Sequence, residues 1–321
     1  MMLPPQSNPG DAPRDRHTLR ACSGATAEDG AARLLKRLQA KPEFREQIVH
    51  ARYLPGETAR TRPLPEDLPL SIRRALEKEG IHRLYTHQAE ALGRHRQGAH
   101  VGVMTPTASG KTLIYNLAVL DHLLRDPHAH ALYLFPLKAL AQDQLQTLRR
   151  LCAAAGLDDV TAEIYDGDTP ASRRARIKRQ PPRVLFTNPD MLHYGLLAFP
   201  DGWRTFFRKL RVVVLDEAHT YRGVFGSHVA LVLRRLRRLC GAPGPAFLAS
   251  SATMANAGEF LSRLTGSPHD VIERSGAPRQ GRHVLLWRPD QSPYALGAAL
   301  LKACLEAGVK TIVFTQSRKI T

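Results

Sequence analysis

Val101-Gly102-Val103-Met104-Thr105-Pro106-Thr107-Ala108-Ser109-Gly110-Lys111-Thr112 is the stretch on which the reading of this chain turns. Residues 101–104 are a short apolar run of the kind that forms a buried strand. From Lys111 the pattern becomes helical, with Leu113, Ile114, Leu117, Leu120 and Leu124 on one side. A strand, a tight loop and a helix N-terminus make an anion site, because unpaired backbone N–H groups and the helix dipole face the same point. Thr107, Ala108, Ser109 and Gly110 would cradle the phosphates of a nucleotide such as ATP. Lys111 would reach the β- and γ-phosphates, and the Thr112 hydroxyl would bind Mg2+. Thr105 stands where the general pattern has its first glycine, so the match lies in the second half of the loop.

A second segment, Asp216-Glu217-Ala218-His219, ends another apolar run, Val212-Val213-Val214-Leu215. Doubly wound sheets gather ligands beyond the carboxyl ends of their strands. Asp216 at such an end could hold the Mg2+ shell, and Glu217 could orient and deprotonate the attacking water. His219 has no second His or Cys at ligand spacing, so it reads as a hydrogen-bonding link from the acid pair to Ser251 or Thr253.

Around these segments strands and helices alternate. Strands are predicted at 100–105, 131–135, 161–165, 183–187, 211–216 and 246–251. Helices are predicted at 111–125, 138–155, 171–179, 190–197, 226–239 and 256–264. That rhythm predicts an α/β fold with a parallel sheet covered by helices on both faces. Residues 1–30 lack periodicity and read as disordered, with a short helix expected at 31–38. The proline-rich stretch 42–69 reads as an extended arm, followed by helices at 70–79 and 85–96. Residues 266–283 read as a linker, before a strand at 284–287, a helix at 293–307 and an apolar strand at 310–316. That last strand has no partner elements after it, which suggests a truncated second α/β unit. The expected organisation is 1–47, disordered or short helix; 48–97, arm; 98–275, nucleotide-binding domain; and 276–321, linker and start of a second domain.

The 321 residues are 43% hydrophobic, enough for a sizeable core, and contain no apolar run long enough to span a membrane. No apolar leader is present at the N-terminus, so a cytoplasmic place is expected, with the nucleoid if the source is bacterial. Cys22, Cys152, Cys240 and Cys304 are scattered, which indicates neither a zinc site nor a disulfide framework. The last three sit in helical patterns and read as small core residues. The net charge of +17 argues for a polyanion partner. Arg234-Arg235-Leu236-Arg237-Arg238 could touch DNA, but with Val229, Leu231 and Val232 beside it the run reads first as the solvated side of a packed helix. Arg173, Arg174, Arg176, Lys178 and Arg179 carry the same two readings.

Taken in order, these pieces resemble superfamily 2 helicases of the DEAD/DEAH-box type, and within them the Hrq-type, mitomycin-repair-factor branch. The resemblance runs from about residue 48 to the end. It is carried by 84–92 (LYTHQAEAL), 105–112, 134–144 (LFPLKALAQDQ), 165–169 (YDGDT), 187–193 (TNPDMLH), 216–226, 250–253 (SSAT) and 313–318 (VFTQSR). It implies a RecA-like P-loop NTPase domain plus the start of a second one. It implies ATP and Mg2+ as ligands, with Gln88 reading adenine through an amide that both donates and accepts. Pro136, Lys138, Asn188 and Pro189 look like strand-tracking residues, and Ser251 and Thr253 like the segment that couples nucleotide state to domain movement. The implied partner is DNA, as a single strand or duplex junction, and the implied activity is 3′–5′ unwinding in DNA repair. Such helicases place an arginine finger in the second motor domain and a zinc-binding cysteine cluster further on. Both are missing from this chain, so poor hydrolysis by the fragment alone is expected. An RNA-remodelling ATPase, or a non-catalytic nucleic-acid-binding module, are the alternatives. Oligomeric state is not legible.

Overall fold

The computed structural model describes residues 25–290 and 292–315. The expected disorder before residue 25, Cys22, and the Gln316-Ser317-Arg318 part of the last motif lie outside the described residues. The chain divides into two compact units, one formed by Gly56–Gln280 and the other by Met1–Pro55 with Gly281–Thr321.

The second of these opens with α1 (Ala25–Ala40), α2 (Pro42–Arg45) and β1 (Ile48–Leu54). In the larger unit β2 (Thr61–Pro63), α3 (Leu70–Lys78), β3 (Arg83–Tyr85) and α4 (Thr86–Arg96) lead into the alternating part. There β4 (Val101–Met104), α5 (Lys111–Arg125), β5 (His130–Leu134), α6 (Lys138–Ala155), β6 (Ala162–Ile164) and α7 (Ala171–Arg179) follow one another. They continue through β7 (Val184–Thr187), α8 (Pro189–Met191), α9 (Arg204–Lys209), β8 (Leu210–Leu215) and α10 (Gly223–Cys240). β9 (Ala246–Ser251), α11 (Ala257–Thr265) and β10 (Asp270–Ile272) close the unit. β11 (Arg282–Trp287) and α12 (Pro293–Glu306) belong to the smaller unit, where β11 pairs antiparallel with β1.

The seven strands of the main sheet lie in the order β10-β4-β9-β8-β5-β7-β6. Each neighbouring pair is parallel. Both faces are covered, and β8 shows why the sequence demands it. Its side chains alternate, so Val212 and Val214 join one apolar cluster while Val213 and Leu215 join the other. The first cluster takes Ile72, Leu76, Leu117, Leu120 and Leu148 from α3, α5 and α6. The second takes Phe206, Phe207, Leu233, Leu236 and Leu261 from α9, α10 and α11. This is a RecA-like fold. Because every strand runs the same way, every strand-to-helix loop of functional interest opens on one edge.

Several expectations change. The 42–69 stretch is more than an extended arm, since it supplies β1 and β2, and β2 pairs with β3. Region 266–283 contains β10, which closes the sheet edge beside β4. Residues 310–315 form no strand, because no neighbour among the described residues offers them a ladder. The 190–197 helix is a short α8 followed by a π-helical turn at Leu192–Leu197. Cys152 is buried as expected, whereas Cys240 and Cys304 are only partly so.

Helices α4 and α5 are locked by polar contacts as well as packing. His95 Nε2 lies 3.0 Å from His122 Nε2, and Arg96 Nε donates to Asp121 Oδ2 at 3.0 Å. Burial, reinforced by His122, lowers the His95 pKa from 6.5 to about 4. The unfolded chain therefore takes up a proton below pH 6.5 that the folded chain refuses until about pH 4. Stability should fall with acidification through that window, by up to about 1.4 kcal/mol per pH unit for this histidine. Urea denaturation between pH 4 and 7 checks this. The slope should flatten by about one proton in His95→Asn, and an unchanged slope would refute the assignment.

Candidate functional site

The loop after β4 is shaped by two left-handed residues, Ala108 at φ 59° and Gly110 at φ 79°. Gly110 is needed twice over, because a Cβ there would also meet Gln88 Nε2 at 2.6 Å. Thr105 Oγ1 and Ser109 Oγ, both buried, bond across the loop at 2.7 Å. Gly110 is the N-cap of α5, so the helix N-terminus opens at Lys111. The Lys111 ammonium donates to Thr105 O at 2.8 Å and Pro106 O at 2.9 Å. Its pKa is lowered by burial, against the pull of Glu217 and then Asp216. Lys111 and the acid pair therefore act on one another electrostatically.

Gln88 is buried and its amide is used at both ends. Oε1 accepts from Tyr85 N–H at 2.9 Å, and Nε2 donates to Gly110 O at 3.0 Å. One N–H and one lone pair of the same amide remain for adenine. Beside the loop, a cavity of about 320 Å3 is bounded by Thr107, Ser109, Thr253, Arg60 and Arg274.

Asp216 lies just beyond β8. Its Oδ1 accepts from Glu217 N–H at 3.0 Å and from the Ser250 hydroxyl, and its Oδ2 accepts from Tyr115 OH at 3.3 Å. Tyr115 OH also lies 3.0 Å from Thr112 Oγ1. The two oxygens expected to share a metal are thus joined through one phenol, whose pKa burial drives well above its usual value. Among the described residues there is no cluster of three or more His, Cys, Asp or Glu able to hold a metal. A hydroxyl and one carboxylate fit Mg2+, which completes its shell with water and substrate phosphates. Glu217 sits at φ 49° in the left-handed region, and its Oε2 is 3.2 Å from His219 Nδ1. That same nitrogen is 3.1 Å from Ser251 Oγ. His219 therefore stands between Glu217 and the end of β9, touching Ser251, while Thr253 lines the cavity beside the loop.

The candidate strand-tracking residues occupy the other half of the same edge, beyond β5 and β7. Lys138 opens α6, exposed, with its ammonium 2.7 Å from Asp168 Oδ2; that bond raises its pKa. Pro136 is half-buried before it. Asn188 caps α8, its Oδ1 accepting from Met191 N–H at 2.8 Å, and Pro189 is buried at the first helical position. The arginine runs are largely occupied. Arg234 donates to Arg263 O, and Arg237 to Gly266 O at 2.8 Å, so both cap the C-terminus of α11. Arg173 and Arg176 pair with Glu163, and Arg174 donates to Asp166 O and Gly167 O. The solvated-face reading needs this amendment: these side chains serve the fold.

Tyr115 and Ser250 were not singled out in the sequence. Tyr115 follows Thr112 by three helical positions, a spacing that puts both on one face and could have marked it. Ser250 lies in the 250–253 stretch, where the resemblance gave roles only to Ser251 and Thr253.

A family model described as DEAD/DEAH box helicase matches residues 85–260. The chain belongs to the DEAD/DEAH box helicase family. Within that family it is 43% identical over 284 residues to YprA of Bacillus subtilis strain 168, described as an uncharacterized ATP-dependent helicase. It is 36% identical over 302 residues to the ATP-dependent helicase HRQ1 of Saccharomyces cerevisiae. These matches cover 85% and 89% of this chain, but only 38% and 28% of the relatives. Among solved structures it superposes on the DUF1998 helicase MrfA bound to DNA and AMPPNP, with TM-score 0.85 and 41% identity. That match covers 90% of this chain and 41% of the MrfA chain. The DEAD-box helicase Mss116, 17% identical with TM-score 0.56, shares the fold.

Lys111→Ala should weaken ATP binding by at least about tenfold in calorimetry, because the phosphate charge loses its cation. Unchanged affinity would refute the loop assignment. Glu217→Gln should keep ATP affinity within about twofold and slow phosphate release by about 10²–10⁴, since shape survives and the base does not. Normal turnover would mean that another group activates the water.

Proposed function

We propose that this chain is the ATP-binding part of an ATP-dependent DNA helicase, acting 3′–5′ in DNA repair, in the cytoplasm or on nucleoid DNA. The observation that carries the reading is the Tyr115 phenol, which joins Thr112 at the loop to Asp216 at the acid pair. A phosphate-binding loop and a water-activating carboxylate are useful together only if they address one nucleotide, and this contact ties the loop to Asp216, the neighbour of Glu217. Thr112 and Asp216 would hold Mg2+, which when bound neutralises phosphate charge. Lys111 would leave its two carbonyls for the phosphates, and Glu217 would take the proton of the attacking water. His219 and Ser251 would carry the state of Glu217 to the end of β9.

The DNA reading rests on similarity to MrfA, whose structure is described as bound to DNA. Pro136, Lys138, Asn188 and Pro189 lie beyond neighbouring strands β5 and β7, where a strand could track along the sheet edge. Residues 276–321 would lead into a second motor domain carrying the arginine finger. DNA repair and polarity rest on the family resemblance.

Fluorescence anisotropy with labelled single-stranded DNA and RNA of one sequence tests the partner. DNA should bind more tightly, and log affinity should fall with log salt by about 0.7 for each phosphate contacted. Preference for RNA would favour the remodelling ATPase, and a flat salt response would remove phosphate contact as the basis of binding.

A further inference from the structure

His87 neighbours Gln88 on the first turn of α4, is fully buried, and bonds at both ring nitrogens. Its Nδ1 lies 3.1 Å from the Gly276 amide nitrogen. A backbone N–H can only donate, so Nδ1 is the acceptor and the ring proton is on Nε2. Nε2–H then donates to Ser109 O at 3.0 Å. His87 and Gln88 therefore grip consecutive carbonyls of the phosphate loop, Ser109 and Gly110. In a trans peptide the carbonyl and the following N–H point to opposite sides. Holding those two carbonyls towards α4 turns the Gly110 and Lys111 N–H groups away from it.

The other end of the ring meets a segment that is itself pinned. Arg60 N–H donates to Gly276 O at 2.8 Å, and Arg60 Nη2 donates to Ser275 O at 2.7 Å. Glu57 and Arg279 exchange backbone bonds at 2.7 and 2.9 Å. Gly276 has no room for a side chain: a Cβ would meet Arg60 O and Thr86 N at 2.7 Å. The 275–279 segment thus follows β10 and ends where the chain leaves this unit, at Gln280.

We propose that His87 is a positioning residue that orients the phosphate loop through Ser109 and ties that loop to the 275–279 segment through Gly276. This rests on the ATP-site reading above and deepens it, because nucleotide occupancy and the order of the exit segment then share one imidazole. Burial supports the neutral ring that this requires. It lowers the His87 pKa, with Lys111 adding to the effect and the Ser109 carbonyl and Glu90 opposing it. Tyr85, whose ring stacks on His87 at 5.9 Å, completes its surroundings.

Two amide substitutions separate the bonds. His87→Gln keeps a donor near the Nε2 position and loses the acceptor for Gly276; His87→Asn does the reverse. ATP affinity of the 321-residue chain is measured by calorimetry, and exchange of the Gly276 amide by NMR with and without ATP and Mg2+. In the wild type, ATP should change Gly276 exchange, because coupling between two sites is reciprocal. His87→Gln should bind ATP within about twofold of wild type and lose that response. His87→Asn should keep Gly276 protected and bind ATP about three- to tenfold more weakly, the effect of one hydrogen bond. Equal loss of affinity in both variants would indicate general loosening and overturn the proposal, as would wild-type behaviour in both. A wild-type chain that binds no ATP would instead sink the functional reading, and this inference with it. The two failures are distinguished by whether the unsubstituted chain binds.

Discussion

Strand direction is the constraint on which the rest of this structure depends. All seven main-sheet strands are parallel, so their carboxyl ends, and the loops that follow, share one edge. The order β4-β9-β8 brings the phosphate loop, Ser251 and the acid pair together although they are far apart in the chain. β5, β7 and β6 extend the same edge with Lys138, Asn188 and the 166–169 turn. Nucleotide chemistry and the candidate nucleic-acid contacts thus lie side by side without a long connection between them. The cost is that no strand can close on its neighbour by a hairpin. Every crossover needs a helix, and those helices supply the two apolar layers that hold the sheet.

Within that frame the phosphate loop is held from both sides. Lys111 binds carbonyls at the start of the loop, and α4 binds carbonyls at its end. Backbone N–H groups are useful to an anion only if their carbonyl partners are satisfied elsewhere, since a buried carbonyl without a donor is costly. The polar side chains of α4 fill that need.

The βα core was legible in the sequence because buried parallel strands are apolar runs and their covering helices repeat at 3.6 residues. The predicted 111–125, 138–155 and 171–179 helices have the same limits in the structure. β10 was hidden because three residues between Pro268 and Gly276 carry too little pattern to stand out from a linker. β1 was obscured for another reason: its partner is β11, expected at 284–287, most of the chain length away, and only tertiary contact reveals the pairing. Residues 310–315 show apolar composition without a strand, since composition favours one only where a neighbour offers hydrogen bonds. At the site, motif residues announced themselves by type, while Tyr115 and His87 did not. What sets them apart is which atoms they join: helical spacing from Thr112 hints at this for Tyr115, and residue type does not reveal it for His87. Gln88 was legible as important, yet its present partners are Tyr85 and Gly110.

Glu217 occupies left-handed backbone, where a side chain costs about 1–2 kcal/mol relative to glycine. Its N–H donates to the Asp216 carboxylate and the turn at Ala218–Thr220 follows directly, so the backbone is held on both sides. Glycine at 217 would therefore relax the chain while removing the carboxylate. The carboxylate beside His219 and the backbone strain thus come together in one residue, and removing either by this substitution removes both.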